Sequence, residues 1–259
     1  MTAGDEKTRI DVILGRCDDM RAEVYVRVTG LAATDTAPVV VGTLRGPESR
    51  LAITLPTEAR LVDLGPGPDG SSVARAILTE PAYWTPELPH RYRLSAQLMA
   101  GGQAFASAER LVGLRRLGVR GRSFWLEGRR WVPRGVGCDA ASFAPQSLRD
   151  RLAAAVIEGP AEDTCAIADE TGVGIVAMCG DDPVAECLRW ATHPSVMLAV
   201  LPRSLDARDV AAVVDRIAAR KGTLLVGLRA AGDQPPPPVP TGVDFLMVSL
   251  DDAAVPHGS

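Results

Sequence analysis

The chain has 259 residues, 46% of them hydrophobic and 23% charged, with a net charge of −4. That length suits one large domain or two ordinary ones, and that balance a globular chain able to bury a core. The mild negative charge gives no global pull toward nucleic acid or anionic lipid, and no apolar run reaches the roughly 18 residues that a membrane span needs. Aromatics are scarce at 4%, which weighs against a saccharide cleft lined with rings. The five cysteines, Cys17, Cys138, Cys165, Cys179 and Cys187, are odd in number and lack C-x-x-C spacing. They read as buried reduced thiols rather than a disulfide frame or a metal site. The first twelve residues have neither the basic start nor the apolar run of a signal peptide, so a cytoplasmic location is expected.

After a polar start, strands are predicted at short spacing over 10–14, 22–28, 39–44, 50–55, 73–78, 92–99 and 104–111. The clearest is the second, where Val24, Val26 and Val28 alternate with Glu23, Tyr25 and Arg27, the pattern of a half-buried strand. Leu51, Ile53 and Leu55 repeat that alternation, and Gly65 to Gly70 reads as a breaker. Seven or so short strands with turns between them imply an antiparallel sandwich. Near its end lies Pro81-Ala82-Tyr83-Trp84-Thr85-Pro86, where prolines hold an extended path and Trp84 and Tyr92 are expected to pack. From 111 to 139 a hairpin is predicted, with Phe124, Leu126, Trp131 and Val132 flanking a turn at Glu127-Gly128-Arg129.

Beyond it the period changes to alternating strands and helices. Strands are predicted over 131–136, 154–157, 173–178, 195–201, 223–228 and 245–250. Helices are predicted over 147–155 (Ser147 as its cap), 162–171, 183–190 and 206–220. The last carries one stripe of Val210, Val213, Val214 and Ile217 stopped by Gly222. Such alternation means a parallel α/β sheet. About six strands are present, whereas a closed barrel needs eight. Pro235 to Pro238 reads as a stiff connector. The chain is therefore divided into a β-sandwich over 1–118 and an α/β domain over 119–259.

Several stretches resemble one family. Gly113-Leu114-Arg115, Phe124-Trp125-Leu126-Glu127-Gly128 and Arg134-Gly135-Val136-Gly137, the corner around Trp84, Ala168-Asp169-Glu170-Thr171-Gly172, and Thr192-His193-Pro194-Ser195-Val196 are similar to motifs of the β-galactosidase, β-glucuronidase and β-mannosidase family of glycoside hydrolases. The resemblance implies an immunoglobulin-like sandwich followed by an incomplete TIM-type barrel, a truncated member without the family's sugar-binding domain. In active members the strand after the His-Pro-Ser motif ends in an Asn-Glu pair whose Glu is the general acid/base. Counting along, those places fall on Arg203 and Ser204, and neither protonates a glycosidic oxygen at neutral pH. The nucleophile would lie near a seventh strand that the sequence does not reach. A retaining glycosidase needs two carboxylates roughly 5 Å apart, and neither falls in register.

The resemblance thus implies a fold kept without its chemistry. The expected function is a non-catalytic structural or interaction subunit stabilising a larger assembly. The rivals are a carbohydrate-binding or sensing pseudo-glycosidase and a glycoside hydrolase with displaced carboxylates. No motif names the assembly; an accessory subunit of a bacterial photosynthetic reaction-centre and antenna complex is one such guess. No catalytic residue, cofactor or metal is assigned. Asp181-Asp182 and Asp251-Asp252 follow strand ends, but acidic pairs in loops more often cap helices or face water. A protein partner is expected, with no nucleic acid and no membrane span, and saccharide binding is not favoured. The contact residues proposed for it are Arg115, Arg116, Arg120, Arg122, Arg129 and Arg130 in the junction, with Phe245 and Met247 on the last strand.

Overall fold

The computed structural model describes residues 9–30, 38–220, 222–233, 235 and 238–250. The chain forms two compact units, one of residues 1–84 with 90–114 and the other of residues 85–89 with 115–259. The polyproline run lies partly, and Asp251-Asp252 wholly, outside the described residues.

The first unit contains β1 (Arg9–Cys17), β2 (Arg21–Thr29), β3 (Val39–Glu48), β4 (Thr57–Arg60), β5 (Val62–Pro66), β6 (Ser72–Thr79), β7 (Arg91–Ala100) and β8 (Gln103–Val112). They make two four-stranded antiparallel sheets, in the orders β1-β2-β6-β5 and β4-β3-β7-β8. The alternation of β2 is realised: Ala22, Val24, Val26 and Val28 are fully buried, in one core with Val40, Leu44, Leu94 and Leu98. Each such valine or leucine contributes about 1.5–3 kcal/mol by leaving water. Trp84 and Tyr92 are also fully buried, and the Tyr92 hydroxyl accepts from the Ala82 amide at 2.8 Å.

The predicted strand over 50–55 is not formed. Leu51, Ile53 and Leu55 are 47%, 107% and 88% exposed in a loop. Alternation supplies an apolar face, but a strand also needs a neighbour for its backbone groups, and the place beside β3 is taken by β4, through Thr43–Gly46 and Thr57–Arg60. Gly65 and Pro66, read as part of a breaker, end the edge strand β5, a position that tolerates proline.

The second unit opens with a three-stranded antiparallel sheet of β9 (Leu117–Arg120), β10 (Ser123–Leu126) and β11 (Arg129–Trp131). Glu127 and Gly128 both have positive φ, 51° and 71°, which is the turn that matches the twist of a two-residue hairpin. Six parallel strands follow in chain order: β12 (Gly135–Gly137), β13 (Ala154–Glu158), β14 (Ile175–Met178), β15 (Val196–Leu201), β16 (Leu225–Ala231) and β17 (Phe245–Ser249). Between them lie α1 (Pro145–Asp150), α2 (Glu162–Thr171), α3 (Pro183–Trp190) and α4 (Ala207–Arg216). The predicted strand over 131–136 is divided between β11 and β12, with Pro133, which has no amide hydrogen to give a ladder, in the gap. The helix predicted from Ser147 begins at Pro145 instead, so Ser147 lies inside it and its N-cap is Ala144.

Every residue of β15 is buried, as expected of a strand covered on both faces. Trp190, fully buried at the end of α3, gives its indole N–H to the Pro160 carbonyl at 3.1 Å. β12 and β17 each have one strand neighbour among the described residues, so the sheet is a six-stranded, open half-barrel. No helix among the described residues is long and apolar enough to cross a membrane.

Candidate functional site

Three places in the second unit gather polar chemistry. The first lies at the N-terminal ends of the parallel strands. α2 stops where Gly172 adopts φ 75°, a left-handed cap at which a Cβ would collide with the Pro86 carbonyl oxygen. This sets Asp169, buried near the end of α2, against the entry to β15. Its carboxylate takes the Ser195 amide at 2.9 Å and lies 2.7 Å from His193 Nδ1. Glu162 Oε1 is 3.0 Å from His193 Nε2, an ion-pair contact whose alignment falls short of a hydrogen bond. Burial pulls the imidazole down, but the hydrogen bond and charge of Asp169, with Glu162, outweigh it and hold His193 above its ordinary value. Arg115 completes the cluster: it is 3% exposed and donates through Nη1 to the Pro194 and Val196 carbonyls at 2.8 and 2.7 Å. Burial lowers its guanidinium to about 9, against the charge of Asp169, and it stays protonated at neutral pH.

The second place is a cleft of about 470 Å³ at the C-terminal ends of the strands, where barrel folds keep their chemistry. Glu158 ends β13, Met178 and Cys179 come from β14 and its exit, Arg203 follows β15, and Arg229 and Asp233 come from β16 and its exit. None of the lining residues among the described ones is aromatic. Arg229 donates to Ser249 Oγ at 3.1 Å, and the Gly180 amide is held by Glu186 at 2.8 Å. Ser204, next to Arg203, is exposed. Asp182, weighed as half of an acidic pair, caps α3 by accepting from the Ala185 amide at 3.1 Å. No group of three or more His, Cys, Asp or Glu residues among the described ones is placed to hold a metal. Burial pushes the Cys165 thiol up to about 12 and also raises Cys138, and the contact with Cys187, 3.9 Å away, raises Cys179 together with burial.

The third place is the β9–β11 hairpin, which holds Arg120, Arg122, Arg129 and Arg130 of the contact residues proposed from sequence. The two arginines just before it leave that set. Arg115 is buried, as above, so it cannot meet a partner. Arg116 is engaged by Glu127. Arg120, Arg122, Arg129 and Arg130 are exposed. On the last strand, Phe245 meets Phe124 edge-on with ring centroids 5.3 Å apart, so the hairpin shields part of that strand. Met247 is half-buried, while Val248 and Leu250 are 51% and 54% exposed.

The sequence profile described as Glycosyl hydrolases family 2 matches residues 9–115. Those residues, less than half of the chain, are similar to a glycosyl hydrolases family 2 domain. Solved structures extend the likeness of fold to the second unit. A family 2 member from Bacteroides cellulosilyticus superposes with a TM-score of 0.63 at 13% identity, over 86% of this chain and 34% of its own. A putative β-galactosidase from Bacteroides fragilis gives 0.62 at 13%, over 92% and 41%. A Bifidobacterium dentium β-glucuronidase complexed with coumarin-3-O-glucuronide gives 0.62 at 14%, over 88% and 44%. The chain thus spans less than half the length of these structures. A search of curated proteins found no match. Glu158 and Asp233 were missed in the sequence because they lie 75 positions apart, as their numbers show. The available signal was a charged residue at the end of one strand and just past the end of another.

Proposed function

We propose that the chain is a non-catalytic structural or interaction subunit built on a family 2 scaffold. The observation that carries this reading is Arg203 lining the cleft, with Ser204 beside it, at the places where the family resemblance puts the Asn-Glu pair. A guanidinium cannot give up its proton at neutral pH, and a serine hydroxyl is far too weak an acid to protonate a leaving oxygen. The ring-free lining supports the same reading, since a sugar face has nothing flat to pack on. β17 has one strand neighbour among the described residues, and with Val248 and Leu250 half exposed this favours a protein partner there.

Glu158 and Asp233 favour one rival, a hydrolase with displaced carboxylates, because they line the same cleft. A panel of aryl β-glycosides decides between them. No turnover above buffer is expected from the chain or from its Glu158→Gln and Asp233→Asn variants. Turnover lost in either variant would replace this reading with the rival. Calorimetric titration with the matching monosaccharides is expected to give no heat of binding; saturable heat would favour the carbohydrate-sensing alternative.

A further inference from the structure

The hairpin has two faces of opposite character. Strand parity puts Leu117, Val119, Phe124, Leu126 and Trp131 on one side, with Arg129 at its end, and there Phe124 packs on Trp131 and Phe245. Arg120, Ser123, Trp125 and Arg130 fall on the other. There the Arg120 guanidinium lies 4.8 Å from the centre of the Trp125 ring. Arg122 and Arg129 are exposed at the hairpin's turns. The hairpin's one carboxylate, Glu127, is taken by Arg116. No carboxylate pairs with Arg120, Arg122, Arg129 or Arg130 among the described residues. The Trp125 indole N–H is buried with no acceptor.

We propose that this outer face, Arg120, Trp125 and Arg130 with Arg122 beside them, docks an acidic segment of a partner protein. The proposal rests on the interaction reading above and names its surface and partner chemistry. Unneutralised guanidiniums, that of Arg120 standing over an indole, offer planar, bidentate recognition of carboxylates, and arginine and tryptophan are the residues that dominate contact energy in interfaces. A carboxylate that draws Arg120 off the ring also reaches the indole donor left without an acceptor. A protein partner fits better than nucleic acid because the face is one short hairpin, not a basic stripe extended along the fold.

The test is fluorescence anisotropy of a labelled twelve-residue Glu/Asp-rich peptide carrying one leucine, titrated with the full chain at low and physiological salt. A single-stranded DNA of equal charge and phosphatidylserine vesicles serve as comparators. Saturable peptide binding is expected, weakened about tenfold or more in Arg120→Ala/Arg130→Ala. Arg120→Lys/Arg130→Lys is expected to lose most of it too, since lysine keeps charge but not the fork, and the cleft variant Arg229→Ala none. Circular dichroism should show all variants folded. Absent peptide binding, equal binding by Arg120→Ala/Arg130→Ala, or tighter binding to the DNA or vesicles would overturn the proposal. Failure here with no glycoside turnover removes this surface alone; turnover would remove the non-catalytic reading whatever the peptide does.

Discussion

At one end of the parallel sheet Asp169, His193, Ser195 and Arg115 are buried and engaged. At the other, Arg203 and Ser204 are exposed beside a ring-free cleft. The first end carries polar residues of motifs that resemble the family's and the second end departs from them, and only the first end has its groups removed from water. Burial makes each partner there costly to lose, because a charge or backbone group left alone in the interior has no water to replace it. The cleft end has no such constraint, so its side chains can change without unfolding the sheet. The contrast separates the residues that hold a barrel-like sheet together from those that would give it chemistry.

The largest effect tests the packing behind the engaged end. Trp190→Ala empties a fully buried site and leaves the Pro160 carbonyl without its donor, and is expected to destabilise the second unit by about 3–5 kcal/mol in urea unfolding. Arg115→Met keeps the aliphatic stem but strands the Pro194 and Val196 carbonyls. The expected loss is about 1–3 kcal/mol, and a loss within error would mean that the guanidinium is a passenger.

Two histidines sharpen the contrast through pH. His193 is held above its ordinary value of 6.5, so its stabilisation is full below that pH and is lost as pH rises through its folded value. His90, in the first unit, is lowered by burial, so its contribution is full above 6.5 and is lost as pH falls through its folded value. Hydrogen exchange followed separately in the two units should therefore give opposite pH slopes between about pH 5 and 8. His193→Gln should flatten the slope of the second unit and leave that of the first. Parallel slopes in both units would show that other groups govern the response.

Much of this was legible in the sequence, and the exceptions have physical causes. α2 and α3 keep their predicted bounds because their ends are written locally, by Gly172 in one and by Asp182-Pro183 in the other. The loop at Leu51–Leu55 misleads because its pattern is local while pairing is not. Arg115 looked like one more surface arginine in a run of them. Its burial depends on two carbonyls 79 and 81 residues away, which no window of sequence contains. The Arg203 and Ser204 positions could be counted from His193. Glu158 and Asp233 could not, since only the fold brings strand ends together.

The most direct measurement compares the two ends in one experiment: urea unfolding with hydrogen exchange read over β15 for Asp169→Ala and Ser204→Ala. Asp169→Ala leaves the Ser195 amide unpaired and takes from His193 a buried partner, and should cost about 3–5 kcal/mol. Ser204→Ala, at an exposed position, should stay within about 0.5 kcal/mol. Equal losses, or a larger loss at Ser204, would contradict the division of labour between the two ends of the sheet.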